Sequence, residues 1–140
     1  MSEARGRCLC GSVRFTVENP TNHVDACHCG MCRRWGGGPF MSVRCGSDIA
    51  FDGQENITVY DSSDWAERGF CKICGSHLFY RLKDSQEYEI PAGLFENQDD
   101  FSFELQVFVD SKPSFYAFAN ETKQMTEAEV IEMFTSGQNT

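Results

Sequence analysis

The sequence predicts a mainly β fold, an antiparallel sandwich or open barrel with one helix near the C-terminus. Three observations carry that expectation: short runs of alternating polarity, turn-forming residues between them, and a single capped helical segment close to the end. Val13, Phe15 and Val17 alternate with Arg14, Thr16 and Glu18, the period-2 pattern of a strand with one buried face, and Asn19-Pro20 ends it. Strand-like runs also occupy residues 40–43, 57–60, 78–82, 88–90 and 103–109, separated by Gly, Asp, Ser and Pro. The one convincing helix is expected at about 126–136. There Thr126-Glu127-Ala128-Glu129 reads as a capping box, Val130, Ile131, Met133 and Phe134 supply apolar faces, and Gly137 is the stop.

A chain of 140 residues with 41% hydrophobic content and 12 Phe can bury one core, so residues 1–140 are expected to form a single domain. Lys and Arg number 12 against 21 Asp and Glu, and the resulting net charge of −9 repels phosphate backbones and anionic lipid. Neither nucleic acid nor a membrane is an expected partner. No run approaches the roughly 18 apolar residues that span a bilayer, and residues 1–7 are charged where a signal peptide would be apolar. The expected location is the cytoplasm.

The cysteines number eight, and in a reducing compartment they read as metal ligands or reactive thiols rather than disulfides. Cys8-Leu9-Cys10-Gly11 and Cys71-Lys72-Ile73-Cys74-Gly75 each offer two thiols and a glycine at which the chain turns back. Together they form a four-thiolate set suited to zinc. Because a closed tetrahedron leaves no position for substrate, its expected role is a structural cross-link over the long loop between Cys10 and Cys71. A competing reading makes Cys8 and Cys10 buried strand residues and only the second pair a knuckle.

Cys27-His28-Cys29-Gly30-Met31-Cys32 forms the third cluster, with three thiols within reach of one ion. That is one ligand short of closure, the mark of a catalytic or substrate-binding zinc. Three alternatives stand beside it: His28 or His23 completes a second structural site, Cys45 does so from a distance, or the loop presents metal-free reactive thiols. In an extended chain His28 would point away from its cysteine neighbours. Cys45 follows a strand-like run and reads as structural, while His77 is either a hydrogen-bond partner of the nearby ligands or a packing residue.

Arg33 and Arg34 follow this cluster directly and suit an anionic small molecule, because guanidinium groups match carboxylates in bidentate fashion. Arg68 is a weaker candidate. Gly36 to Gly38 lacks the Lys and Ser/Thr of a phosphate loop and reads as a flexible or close-approach segment, with Trp35 a core or pocket residue.

At three places, GRCLCGSVRF (6–15), CHCGMCRRWGG (27–37) and RGFCKICGSHLFY (68–80), the sequence resembles the glutathione-dependent formaldehyde-activating enzyme family, which also includes centromere protein V. The resemblance covers roughly 6–109. It implies a zinc-bearing β fold like those of the mammalian suppressor of Sec and methionine sulfoxide reductase B. It also assigns Cys8, Cys10, Cys71 and Cys74 to a structural zinc and Cys27, Cys29 and Cys32 to a catalytic one, the second held less tightly. The implied activity is that of a carbon-sulfur lyase joining a glutathione-like thiol to formaldehyde or a small aldehyde, with Arg33 and Arg34 gripping carboxylates. The basic extension of a chromatin-binding relative is absent. The opposing class is a non-enzymatic, zinc-stabilised module that binds a protein or a small thiol.

Overall fold

The computed structural model describes residues 3–136, and strands hold 42% of the chain against 19% in helices, so the mainly β expectation holds. Gly137 lies outside the described residues. The chain divides into two compact units, each assembled from two stretches: the chain to His23 with Ser42–Phe101, and Val24–Met41 with the chain from Ser102 onward. No helix of the described residues is long and apolar enough to cross a membrane.

The first unit contains two sheets. The smaller has the order β1-β2-β5, formed by β1 (Glu3–Arg7), β2 (Arg14–Glu18) and β5 (Ile49–Asp52), all antiparallel. In the larger, β4 (Phe40–Gly46), β9 (Tyr88–Pro91), β8 (His77–Leu82), β7 (Ala66–Cys71) and β6 (Ile57–Tyr60) lie side by side in that order, again antiparallel. The alternation predicted for β2 is realised, with Phe15 and Val17 buried and Arg14 exposed. Phe15 packs edge-on against Phe95, and Phe51 contacts Phe79 and Tyr88, so aromatic rings fill the space between the two sheets.

Two glycines allow that close fit. Gly6 pairs with Phe15 across β1 and β2, and Gly69 pairs with Phe79 across β7 and β8. In both cases the partner ring lies over the glycine: an added Cβ would meet Phe15 at 2.3 Å or Phe79 at 2.4 Å. The ring covers backbone that would otherwise be bare, a known device for stabilising strand glycines.

The second unit contains β3 (His23–Cys27), α1 (Gly30–Gly36), β10 (Ser102–Val107), β11 (Lys123–Met125) and α2 (Glu127–Ser136). β10 lies between β3 and β11, and its pairing with β11 is parallel, unlike the antiparallel ladders expected throughout. The reason is the connection, since residues 108–122 carry the chain back to the start of the sheet instead of reversing it in a hairpin. The capping box of α2 forms as predicted: Glu129 N–H donates to Thr126 Oγ1 at 3.3 Å and Thr126 N–H donates to Glu129 Oε1 at 2.8 Å. Helix α1 corrects the expectation of a single helix. Its cap is a cysteine, with Cys29 Sγ accepting the Cys32 N–H, and Gly37 at φ +91 ends it by donating its N–H to Arg33 O at 2.7 Å. The glycine run read as a flexible segment is therefore a helix stop. The 103–109 run ends as a strand at Val107, because Val109 enters a short 3-10 turn.

Replacing Gly69 with Ala forces a methyl group into the Phe79 ring, which the surrounding core prevents from moving. The expected cost is about 2 kcal/mol or more in urea unfolding. A loss near zero would mean that the ring does not seal the glycine.

Candidate metal centres

The turns at Cys8 and Cys71 are built alike. Gly11 at φ +83 returns its N–H to Cys8 O at 3.1 Å, and Gly75 at φ +82 returns its N–H to Cys71 O at 2.7 Å. A left-handed residue at that point favours glycine, and the tight return aims both thiols of each turn the same way. Leu9 N–H donates to Ser76 Oγ at 3.1 Å and ties one turn to the other. The sulfur atoms of Cys8, Cys10, Cys71 and Cys74 all lie within 4.8 Å of one another. Cys8 and Cys10 are 3.7 Å apart and Cys10 and Cys71 3.9 Å. Four sulfurs placed about 2.3 Å from a central zinc would be separated by about 3.8 Å, so the donor set and its spacing suit a tetrahedral metal. Cys8 and Cys10 lie beyond the end of β1, with Cys8 buried and Cys10 exposed.

Two further residues of this site escaped the sequence analysis. Ser12 Oγ and Cys10 Sγ are 3.2 Å apart, as are Ser76 Oγ and Cys74 Sγ. The tripeptide Cys-Gly-Ser, at 10–12 and 74–76, was a partial signal, because it also occurs at 45–47, where Cys45 belongs to neither thiol set. The Ser76 hydroxyl leads in holding Cys74 down at about 5, and Ser12 leads in lowering Cys10. Cys71 moves the other way, raised chiefly by burial. The serines thus favour the thiolate form that a metal requires.

The second group is Cys27, at the end of β3, with Cys29 and Cys32 across the first turn of α1; their sulfurs also lie within 4.8 Å of one another. The cap geometry explains the convergence, because the N-cap side chain turns toward the amide three residues on, which is the Cys32 N–H. Hydrogen bonding within the trio lowers Cys29, first from Cys27 and then from Cys32, and raises Cys27. One thiolate is favoured by two thiol donors even before a cation arrives. Among the described residues, no histidine or further cysteine belongs to this group.

The candidates for a fourth ligand are placed elsewhere. His28 is fully buried, its Nε2 lies 2.9 Å from Gln106 Oε1, and its Nδ1 lies 2.7 Å from the Tyr116 hydroxyl. Gln106 Nε2 donates to Thr122 Oγ1 at 3.0 Å and turns Oε1 toward the imidazole; with the amide in this orientation His28 Nε2–H donates to Gln106 and Tyr116 O–H donates to Nδ1. Burial leads in holding this imidazole neutral. His23 is exposed at the start of β3. Cys45 is buried, donates its S–H to Val43 O at 3.2 Å, and is pushed up to about 12 by desolvation, as befits a structural thiol.

The arginines fold back over the cysteine loop. Arg33 Nε donates to His28 O at 2.9 Å, and a Cβ placed on Gly30 would meet the Arg34 guanidinium at 3.3 Å and that of Arg33 at 4.0 Å. Both line a cavity of about 250 Å³ with Gly37, Gly38 and Phe115. Arg68, by contrast, is buried in β7 with its guanidinium 5.1 Å from the Tyr80 ring centre. Trp35 is half-buried on α1.

A β fold carrying one complete set of four thiols and one open set of three, each able to hold a metal ion, defines the class of protein, and comparison with known proteins gives it a family. The chain belongs to the glutathione-dependent formaldehyde-activating enzyme family, which matches residues 3–111. An uncharacterized lyase of Schizosaccharomyces pombe is 37% identical over 132 residues, 94% of this chain and 96% of its own length. A relative from Podospora anserina that carries the family's name is 30% identical over 88 residues; the match spans 59% of this chain and 41% of that protein. A crystal structure of a Rhodobacter sphaeroides protein superposes with a TM-score of 0.57 at 29% identity, covering 66% of this chain and 88% of that one.

Two outcomes are expected. Cys71→Ser should lower the melting temperature by about 15 °C, whereas Cys29→Ser should leave it within a few degrees, since only the first opens a cross-link over a long loop. Equal losses in thermal melts would contradict this division. The second outcome concerns His77 in β8, which burial and then the Arg68 charge push down to about 4. The unfolded chain takes up that proton near pH 6.5, so this contribution to stability is present above pH 6.5 and is lost as pH falls toward 4. Between pH 7 and pH 5 the loss is about 2 kcal/mol. Urea unfolding of His77→Gln should show a correspondingly smaller loss than the parent over that interval.

Proposed function

We propose that the chain is a zinc-dependent carbon-sulfur lyase that joins glutathione, or a thiol like it, to formaldehyde or another small aldehyde in the cytoplasm. One arrangement carries the reading: three convergent thiols, one short of a closed set, with two guanidinium groups laid back across the same loop. Membership of the family and the lyase relative support it. The complete set at Cys8, Cys10, Cys71 and Cys74 is then structural, while Cys27, Cys29 and Cys32 are the site of reaction. A zinc ion on the three thiolates would supply a Lewis acid with one free position.

The reaction forms one carbon-sulfur bond: the thiol sulfur adds to the carbonyl carbon, the π pair moves to oxygen, and the thiol proton ends on that oxygen. What this chain contributes is placement. Arg33, held by the His28 carbonyl, and the more exposed Arg34 bind the thiol's carboxylates and keep its sulfur at the cysteine loop. His28, kept neutral and occupied at both nitrogens, braces the loop. The net charge of −9 leaves these arginines as a local attraction for a small anion on a surface that repels polyanions.

Calorimetry with the protein as purified should detect glutathione binding that weakens about tenfold in Arg33→Ala/Arg34→Ala and weakens further as salt is raised. Formaldehyde should then be consumed faster with protein and glutathione than with glutathione alone. No acceleration together with intact binding would leave a thiol-binding module in place of an enzyme.

A further inference from the structure

Beyond the family-matched stretch, which ends at residue 111, the chain runs from β10 toward β11 and places Phe115 at the arginine cavity. Phe115 is 81% exposed. Single exposed apolar residues are ordinary on protein surfaces, so exposure alone says little. Phe115 differs in how firmly its backbone is fixed. Its neighbour Tyr116 donates to the buried His28 at 2.7 Å, and its ring stacks obliquely on that imidazole with centres 5.5 Å apart. Lys112 Nζ closes the loop from below, donating to Tyr116 O at 2.5 Å and Pro113 O at 3.2 Å. The backbone next to Phe115 is therefore fixed at the cavity by a support that also holds Arg33, through the carbonyl of the same His28.

The remaining wall is backbone. Gly37 and Gly38 have nothing within 4 Å of where a Cβ would stand, so this side of the cavity is open and flat. A ligand here meets cationic groups on one side and an aromatic face on another. The guanidinium groups call for a carboxylate, and the phenyl face calls for carbon next to it; an ammonium in that place would be repelled by the arginines. Glutathione meets the first demand and offers only a glycine methylene to the second.

We propose that Phe115 is a specificity-determining residue of this site, and that the site takes a thiol whose carboxylate carries an apolar arm. The inference rests on the thiol-and-aldehyde reading and narrows its substrate class. A matched pair of probes tests it: 3-mercaptopropanoate and 2-benzyl-3-mercaptopropanoate share thiol and carboxylate and differ by one benzyl group. Calorimetry on the protein as purified should show the benzyl acid binding about tenfold tighter. Phe115→Ala should reduce that ratio below about twofold and Phe115→Leu should retain part of it, both with unchanged melting temperatures. Arg33→Ala should weaken both acids alike and keep the ratio. Equal affinity in the parent protein, a ratio that survives Phe115→Ala, or failure of both acids to bind overturns the proposal. Turnover of formaldehyde with glutathione and with the benzyl thiol is measured separately. Its absence with the ratio intact removes the lyase reading alone, and its presence with a flat ratio removes this proposal alone.

Discussion

The structure of the first unit depends on four sulfur atoms meeting at tetrahedral separation from two turns whose nearest cysteines are 61 residues apart. Without a cross-link, the closure of a long loop would rest on ring packing and on the Leu9 to Ser76 hydrogen bond. A cross-link over such a span removes about 4 kcal/mol of chain entropy from the unfolded state by the loop-closure relation. Everything else at this site serves the convergence. The left-handed glycines turn the chain, Ser12 and Ser76 favour thiolates, and the Leu9 to Ser76 hydrogen bond sets one turn against the other.

In the second unit the corresponding constraint is polar. Thr122, Gln106, His28 and Tyr116 form one hydrogen-bonded chain in which every donor has a direction. A fully buried imidazole with both nitrogens occupied holds its position, because leaving either one unpaired costs about 1–3 kcal/mol. His28 lies between two of the clustered cysteines and its carbonyl accepts from Arg33, so one residue braces the thiol loop, an arginine and the 112–118 segment together. Sequence position makes it look like a ligand, and its surroundings make it a support.

Much of the fold was legible locally. The runs of β2, β4, β6, β8, β9 and β10 and the capping box of α2 were readable from apolar and β-branched residues between turn residues, with clean alternation in β2. Of the strands that were missed, β3 and β5 alternate in burial but are only five and four residues long, whereas β1, β7 and β11 lack the pattern for physical reasons. β1 is EARGR, whose apolar contact comes through a glycine under Phe15, and β7 is AERGFC, which buries Arg68 and a metal-set cysteine. β11 has only Lys123, Gln124 and Met125, too short for any period to show. Helix α1 was hidden because thiols occupy its N-cap and third position, where an oxygen-bearing residue usually signals a start. The metal sets were legible because each pair or trio lies within a few residues. Tyr116 carried no signal at all, since its partner lies 88 residues away and only the folded chain reveals the pairing.

That contrast separates two kinds of information within one site. The geometry of the Cys27, Cys29 and Cys32 trio is local: a strand end and a helix cap suffice to converge the sulfurs, so a short motif specifies it. Shape around a substrate is not local. The cavity wall at Phe115 exists because a tyrosine beyond the family-matched residues reaches a histidine inside the cysteine motif. A change at Phe115 alters that wall without removing the Tyr116 hydrogen bond that holds His28 and the thiol loop. In this chain the histidine between the cysteines is the point to which the segment beyond the family-matched residues anchors its wall, so the shape at the arginine cavity is set by a different stretch of sequence from the thiol spacing.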